Sequence, residues 1–83
     1  MIDSITKNRV IVELDDKGCP FIEITEYNDA DELEDILSEE FNLIFLVSYH
    51  ETFKKHGGKR FHFSSLVDQG KLQKVLDSIE LNE

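Results

Sequence analysis

Three histidines, His50, His56 and His62, fall within one short span of an 83-residue chain. If the turn between their strands is Lys55-His56-Gly57, His50 and His62 sit opposite each other on adjacent strands. Two cross-strand imidazoles are too few for zinc, which takes three or four ligands in tetrahedral array. The lone cysteine, Cys19, belongs to a different turn. These histidines are therefore read as surface residues beside a turn, with no metal and no cofactor expected. Ser48, Ser64 and Ser65 are nucleophile types, but no pattern sets one on a sharp turn beside an oxyanion donor. Gly57-Gly58 lacks the strand-to-helix glycine motif that cradles phosphate. Paired carboxylates do acid–base work only where their environments split their pKa values, and a solvated acidic surface does not. The expectation is a protein with no catalytic residues, not an enzyme.

The carboxylates point elsewhere. Eighteen acids against nine bases give a formal charge of −9. From Glu23 to Glu40 there are nine acids and no base. A solvated face that keeps a small protein soluble is one explanation. A partner-binding face is the other, with Glu23, Glu26, Asp31, Glu34, Asp35 and Glu39 as its candidate residues. Helix turns recur every ~5.4 Å, so a row of carboxylates approximates the ~6–7 Å spacing of phosphates along a strand. No Lys or Arg stands three or four residues from these carboxylates within the helix, so nothing local offsets their repulsion. The expected function is that of a small acidic inhibitor engaging a basic surface of a partner protein. Nucleic-acid mimics, antitoxin or immunity proteins and phage-type blockers have this composition, and a nucleic-acid-acting protein is the natural target.

A basic cluster offers the alternative. Lys54, Lys55, Lys59 and Arg60, flanked by Phe53 and Phe61, have the ingredients of a hairpin tip that grips phosphates. The rest of the chain carries a net −13, which opposes DNA or RNA over a Debye length of ~8 Å. Direct nucleic-acid or anion binding is thus the runner-up. Lysines that protect a hairpin end from edge pairing explain the cluster as well, and a third reading is a structural homodimer without a dedicated site.

The elements that position these groups recur at a shift of 39 residues. Ile22, Ile24, Tyr27, Leu33, Ile36 and Leu37 fall on Phe61, Phe63, Leu66, Leu72, Val75 and Leu76, while Gly18 falls on Gly57 and Asp29 on Asp68. Such a period marks a supersecondary unit that cannot bury its apolar face alone. Asn8–Leu14 and Phe21–Tyr27 alternate as strands around a turn at Asp15–Gly18. Pro20 suits a strand start. Asn28 or Asp29 should cap a helix of about Asp29–Glu40 carrying Ala30, Leu33, Ile36, Leu37 and Phe41. Leu43–Val47 reads as a strand buried on both faces, near the sheet centre. A turn near His56–Gly58 leads to a return strand with Phe61 and Phe63. Asp68 should cap a second helix of about Asp68–Glu80.

The fold class expected is α+β: a repeated ββαββα, with a four-stranded antiparallel sheet and two helices on one face. One domain spans residues 1–83, with ββα units at about 5–41 and 42–80. No apolar run reaches the ~20 residues needed to cross a bilayer, and the single cysteine suits a reducing, cytoplasmic setting.

Overall fold

In a computed structural model, residues 1–49 and 56–79 are described. The fold is α+β, with a four-stranded antiparallel sheet and two helices. Chain order runs β1 (Glu13–Leu14), β2 (Pro20–Glu26), α1 (Tyr27–Glu39), β3 (Phe45–Ser48), β4 (Gly57–Phe63) and α2 (Gln69–Ser78). The sheet order is β1-β2-β4-β3. The central pair, β2 and β4, sets Ile22 against Phe61, Glu23 against Arg60 and Ile24 against Lys59.

Strand parity builds the core. Ile22 and Ile24 of β2 and Phe61 and Phe63 of β4 are buried, and join one cluster with Leu33 and Leu37 of α1 and Leu72 and Leu76 of α2. Phe45 and Val47 of β3 pack at its margin, where the Phe45 ring lies 5.2 Å from that of Phe61. Val10, Val12, Ile22, Ile24, Leu33, Leu37, Phe61, Phe63, Leu72 and Leu76 are buried, while Ile36, Phe45, Val47 and Val75 are half-buried against them.

The apolar run Leu43–Val47 is corrected by the sheet order. β3 is an edge strand, not a central one, and Ile44 and Leu46 are 89% and 75% exposed. Continuous apolar character suits a strand covered on both faces, but it does not reveal which neighbours a strand has. The strand expected over Asn8–Leu14 is also shorter, with only Glu13–Leu14 pairing with β2. Upstream, α2 replaces a neighbouring strand. The Gln73 amide accepts from Val12 N–H at 2.8 Å and donates to Val10 C=O at 3.0 Å, and Gln69 donates to Val12 C=O at 3.0 Å. These side chains meet the backbone groups that a ladder would otherwise satisfy.

Helix boundaries moved by one or two residues. The N-cap of α1 is Glu26, not Asn28 or Asp29, and its carboxylate accepts from Asp29 N–H at 3.0 Å. Asp29 itself is buried in the first turn, accepting from Ser4 N–H and Oγ–H. Beyond α1, Asn42 adopts a left-handed φ of 52°, so the chain reverses and Leu43 N–H reaches Leu37 C=O at 2.9 Å. Phe41 lies past the helix and is exposed. Asp68 caps α2 as expected, accepting from Lys71 N–H at 2.9 Å. The first turn also forms as expected, with Gly18 N–H bonded to Asp15 C=O and Gly18 at φ +77°.

Where β1 stops, Asp3 takes over the edge of β2. One carboxylate oxygen accepts from Ile5 and Thr6 N–H, at 2.8 and 3.0 Å, and the other accepts from Thr25 N–H at 3.1 Å. Burial alone would push this carboxyl up, but the donors from Thr6, Thr25 and Ile5 outweigh it and the pKa is lowered. A carboxylate with a depressed folded pKa stabilises above its ordinary pKa of about 3.9, and that contribution fades as pH falls through the folded value. Asp3→Asn should therefore lower stability by roughly 1–2 kcal/mol at pH 7. Urea midpoints of the two proteins should converge as pH falls below about 4, the ordinary carboxylate range; a gap unchanged in acid would contradict the role given to Asp3.

Candidate functional site

Helix α1 carries the acidic surface because its apolar residues occupy one stripe. Ala30, Leu33 and Leu37 turn inward, which leaves positions 31, 35 and 39 outward. Asp31, Asp35 and Glu39 are exposed and follow one another at four-residue steps. Each step rises ~6 Å along the helix, so the three carboxylates form a column. Glu40, just past the helix, is exposed as well.

The remaining candidates are engaged within the fold. Glu34 accepts from Lys59 Nζ at 3.3 Å, and Glu23 from Arg60 at 3.0 Å. Glu26 caps α1. The acidic segment thus receives neutralisation from across the sheet, which separation along a helix does not reveal. The cross-strand register does, since Glu23 and Arg60 are direct partners.

The same contacts account for half of the basic cluster. Lys59 and Arg60 lie inside β4, not in a turn. Lys59 is buried, with its ammonium 5.4 Å from the Tyr27 ring centre and 5.8 Å from that of Tyr49. Burial would lower the Lys59 pKa, but the Glu34 carboxylate outweighs it and the value is raised. The Arg60 guanidinium stands 5.1 Å over the Phe21 ring. Lys54 and Lys55 lie outside the described residues.

The histidine geometry also differs from expectation. His62 pairs across the sheet with Leu46, not with His50, and His50 lies outside the described residues. His62 Nε2 and Ser48 Oγ share a hydrogen bond of 2.8 Å, which the sequence reading missed because it rests on the register of β3 against β4. His56 precedes β4 and is exposed. Among the described residues, no group of three or more His, Cys, Asp or Glu side chains could hold a metal ion. Cys19 is a free, half-buried thiol.

A shallow cleft of about 210 Å³ lies between the N-terminal loop and β2, with Asp3, Arg9, Glu13 and Glu23 in its lining. Two of those charges are paired: Arg9 with Asp77 and Glu23 with Arg60. The Arg9 guanidinium holds Asp77 down to about 2.

Among the described residues, no helix is long and apolar enough to cross a membrane. Comparison of the chain with protein-family models, curated proteins and solved structures finds no match.

Proposed function

We propose that this chain is a non-enzymatic binding protein whose α1 surface engages a basic site on a partner, in the manner of an inhibitor that imitates a nucleic-acid backbone. The observation that carries this reading is the column Asp31, Asp35 and Glu39, exposed at four-residue spacing with no cation near it on its own helix. Glu23, Glu26 and Glu34 belong to the same site as its flank, where they fix β2, β4 and α1 around it. Like charges at four-residue spacing destabilise a helix, and Glu39 and Glu40 also oppose the dipole at its C-terminal end. Acids retained against both costs suit a surface with an external cation to meet.

The scaffold we propose for this surface is a duplicated ββα unit with both helices on one face of the sheet, in a single cytoplasmic domain. Three features favour it: from either edge the sheet runs from the first strand of one ββα unit to its second, the axis between units falls at the Ile22–Phe61 pair that the 39-residue shift relates, and both helices contribute leucines to one cluster. The hairpins are unequal. The shift would carry the β1 pairing of Glu13 with Phe21 onto 52 and 60, yet Arg60 pairs with Ser48. The nucleic-acid reading through the basic cluster is weakened because Lys59 and Arg60 are already held by Glu34 and Glu23.

The triple variant Asp31→Asn, Asp35→Asn, Glu39→Gln tests this reading by capture from lysate with mass spectrometry. Wild type should retain a basic protein at low salt, lose it as ionic strength rises, and displace duplex DNA or RNA from it. The triple variant should retain about tenfold less, which is ~1.4 kcal/mol of binding, with thermal stability unchanged or slightly raised. Lys54→Glu with Lys55→Glu should leave capture intact. The reverse ranking, with the lysines essential and the carboxylates dispensable, would replace this proposal with the anion-binding one.

A further inference from the structure

The outer edge of β3 is where the molecule is least like the rest of its surface. From Phe41 to His50 the chain has ten residues without Asp, Glu, Lys or Arg, its longest such run. The edge strand lies within that run and, among the described residues, no strand pairs with its outer side. Ile44, Leu46 and Tyr49 are 89%, 75% and 77% exposed. An edge strand presents unpaired backbone N–H and C=O groups, and proteins usually guard such strands with charges, proline or a bulge. Residues Phe45–Ser48 have no charge and no proline.

We propose that β3 pairs antiparallel with β3 of a second copy of this chain, extending the sheet across a twofold axis. Charge selects this occupant. A basic partner is drawn to the acidic column of α1, whereas β3 carries no carboxylate to hold a cation. A second copy brings the same uncharged strand, so the contact buries no charge from either side. A twofold contact is self-complementary, residue i meeting j as j meets i. Centred on Phe45, it sets each Ile44 beside Leu46 of the other copy, and cross-strand apolar pairs of this kind stabilise a sheet. The pairing also matches the existing sheet, in which every neighbour is antiparallel.

Two molecules at −9 each repel over distances that salt screens. Dimerisation through an uncharged edge must therefore strengthen with ionic strength, opposite to partner capture by α1, so the two surfaces are separable. Sedimentation equilibrium of the full chain, from micromolar to millimolar at low and high salt, tests this. The expected result is a monomer–dimer equilibrium shifted towards dimer by salt. Leu46→Lys and, separately, Ile44→Lys should raise the dissociation constant at least about tenfold. Both positions are exposed, so circular dichroism should show an intact fold for at least one of them. Leu66→Lys, which makes the same charge change at a residue 94% exposed outside the edge, should leave it unchanged. A monomer at every concentration and salt overturns the proposal. So does a dimer indifferent to Leu46→Lys and Ile44→Lys, equal weakening by all three substitutions, or a dimer that salt dissolves.

Discussion

Gly58→Ala should lower stability by about 3 kcal/mol or more, the upper end of the range for overpacking a filled site. A Cβ at position 58 would lie 2.2 Å from the carbonyl oxygen of Ile24 and 2.4 Å from that of Thr25. Both atoms are backbone of β2, the strand that pairs with β4 on either side of this point. No side-chain rotation relieves such a contact, so the two central strands must separate, and they carry Ile22, Ile24, Phe61 and Phe63 with them. In a domain this small each kcal/mol moves Tm by roughly 4–8 °C. Thermal melts should therefore show a fall of about 12 °C or more. Gly18→Ala makes the comparison: its φ is +77° but nothing lies within 4 Å, so only the left-handed backbone resists, at about 1–2 kcal/mol. Similar losses for the two variants would mean that the approach of β4 to β2 is looser than described.

Leu76→Ala should cost roughly 2–5 kcal/mol, as lost transfer energy and a residual cavity add. Leu76 is fully buried on the inner side of α2, one turn after Leu72, in the cluster that Leu33 and Leu37 enter from α1. Its carbonyl also accepts from the Met1 ammonium at 2.9 Å, so a shift of α2 disturbs the N-terminal segment too. Natural domains rest on about 5–15 kcal/mol, which makes this loss severe. Urea denaturation should separate it clearly from Leu66→Ala, expected within about 0.5 kcal/mol of wild type because Leu66 is exposed. A loss under about 1 kcal/mol would contradict the packing of α2 described above.

The sequence carried the elements better than their neighbours. Alternation at Ile22 and Ile24 and at Phe61 and Phe63, and the stripes Leu33–Leu37 and Leu72–Leu76, are local periodicities, and each became a buried face. The place of β3 is not a local property. Leu43–Val47 is apolar enough for a central strand, and only the β2–β4 pairing, made between distant segments, displaces it to the edge. The candidate site divides along the same line. The spacing of Asp31, Asp35 and Glu39 is visible in one helix, whereas the engagement of Glu23 by Arg60 and of Glu34 by Lys59 joins residues 37 and 25 apart in the chain, through the pairing of β2 with β4 and the packing of α1 on the sheet. Gly58 illustrates the limit: its residue type is legible, but the reason for it is another strand's backbone standing where a side chain would go.

The setting of Lys59 gives the molecule an optical reporter of its own. The chain has no tryptophan and two tyrosines, so its emission on excitation beyond the phenylalanine absorption band comes from Tyr27 and Tyr49. Both rings face the same ammonium, at 5.4 and 5.8 Å, and that ammonium is tethered to Glu34 on α1. A ligand cation that competes for Glu34 must loosen the tether, and the phenol rings will register the change. Competition for Glu34, as distinct from contact with Asp31, Asp35 and Glu39 alone, can thus be followed by tyrosine fluorescence when the titrant is a cation that does not itself fluoresce.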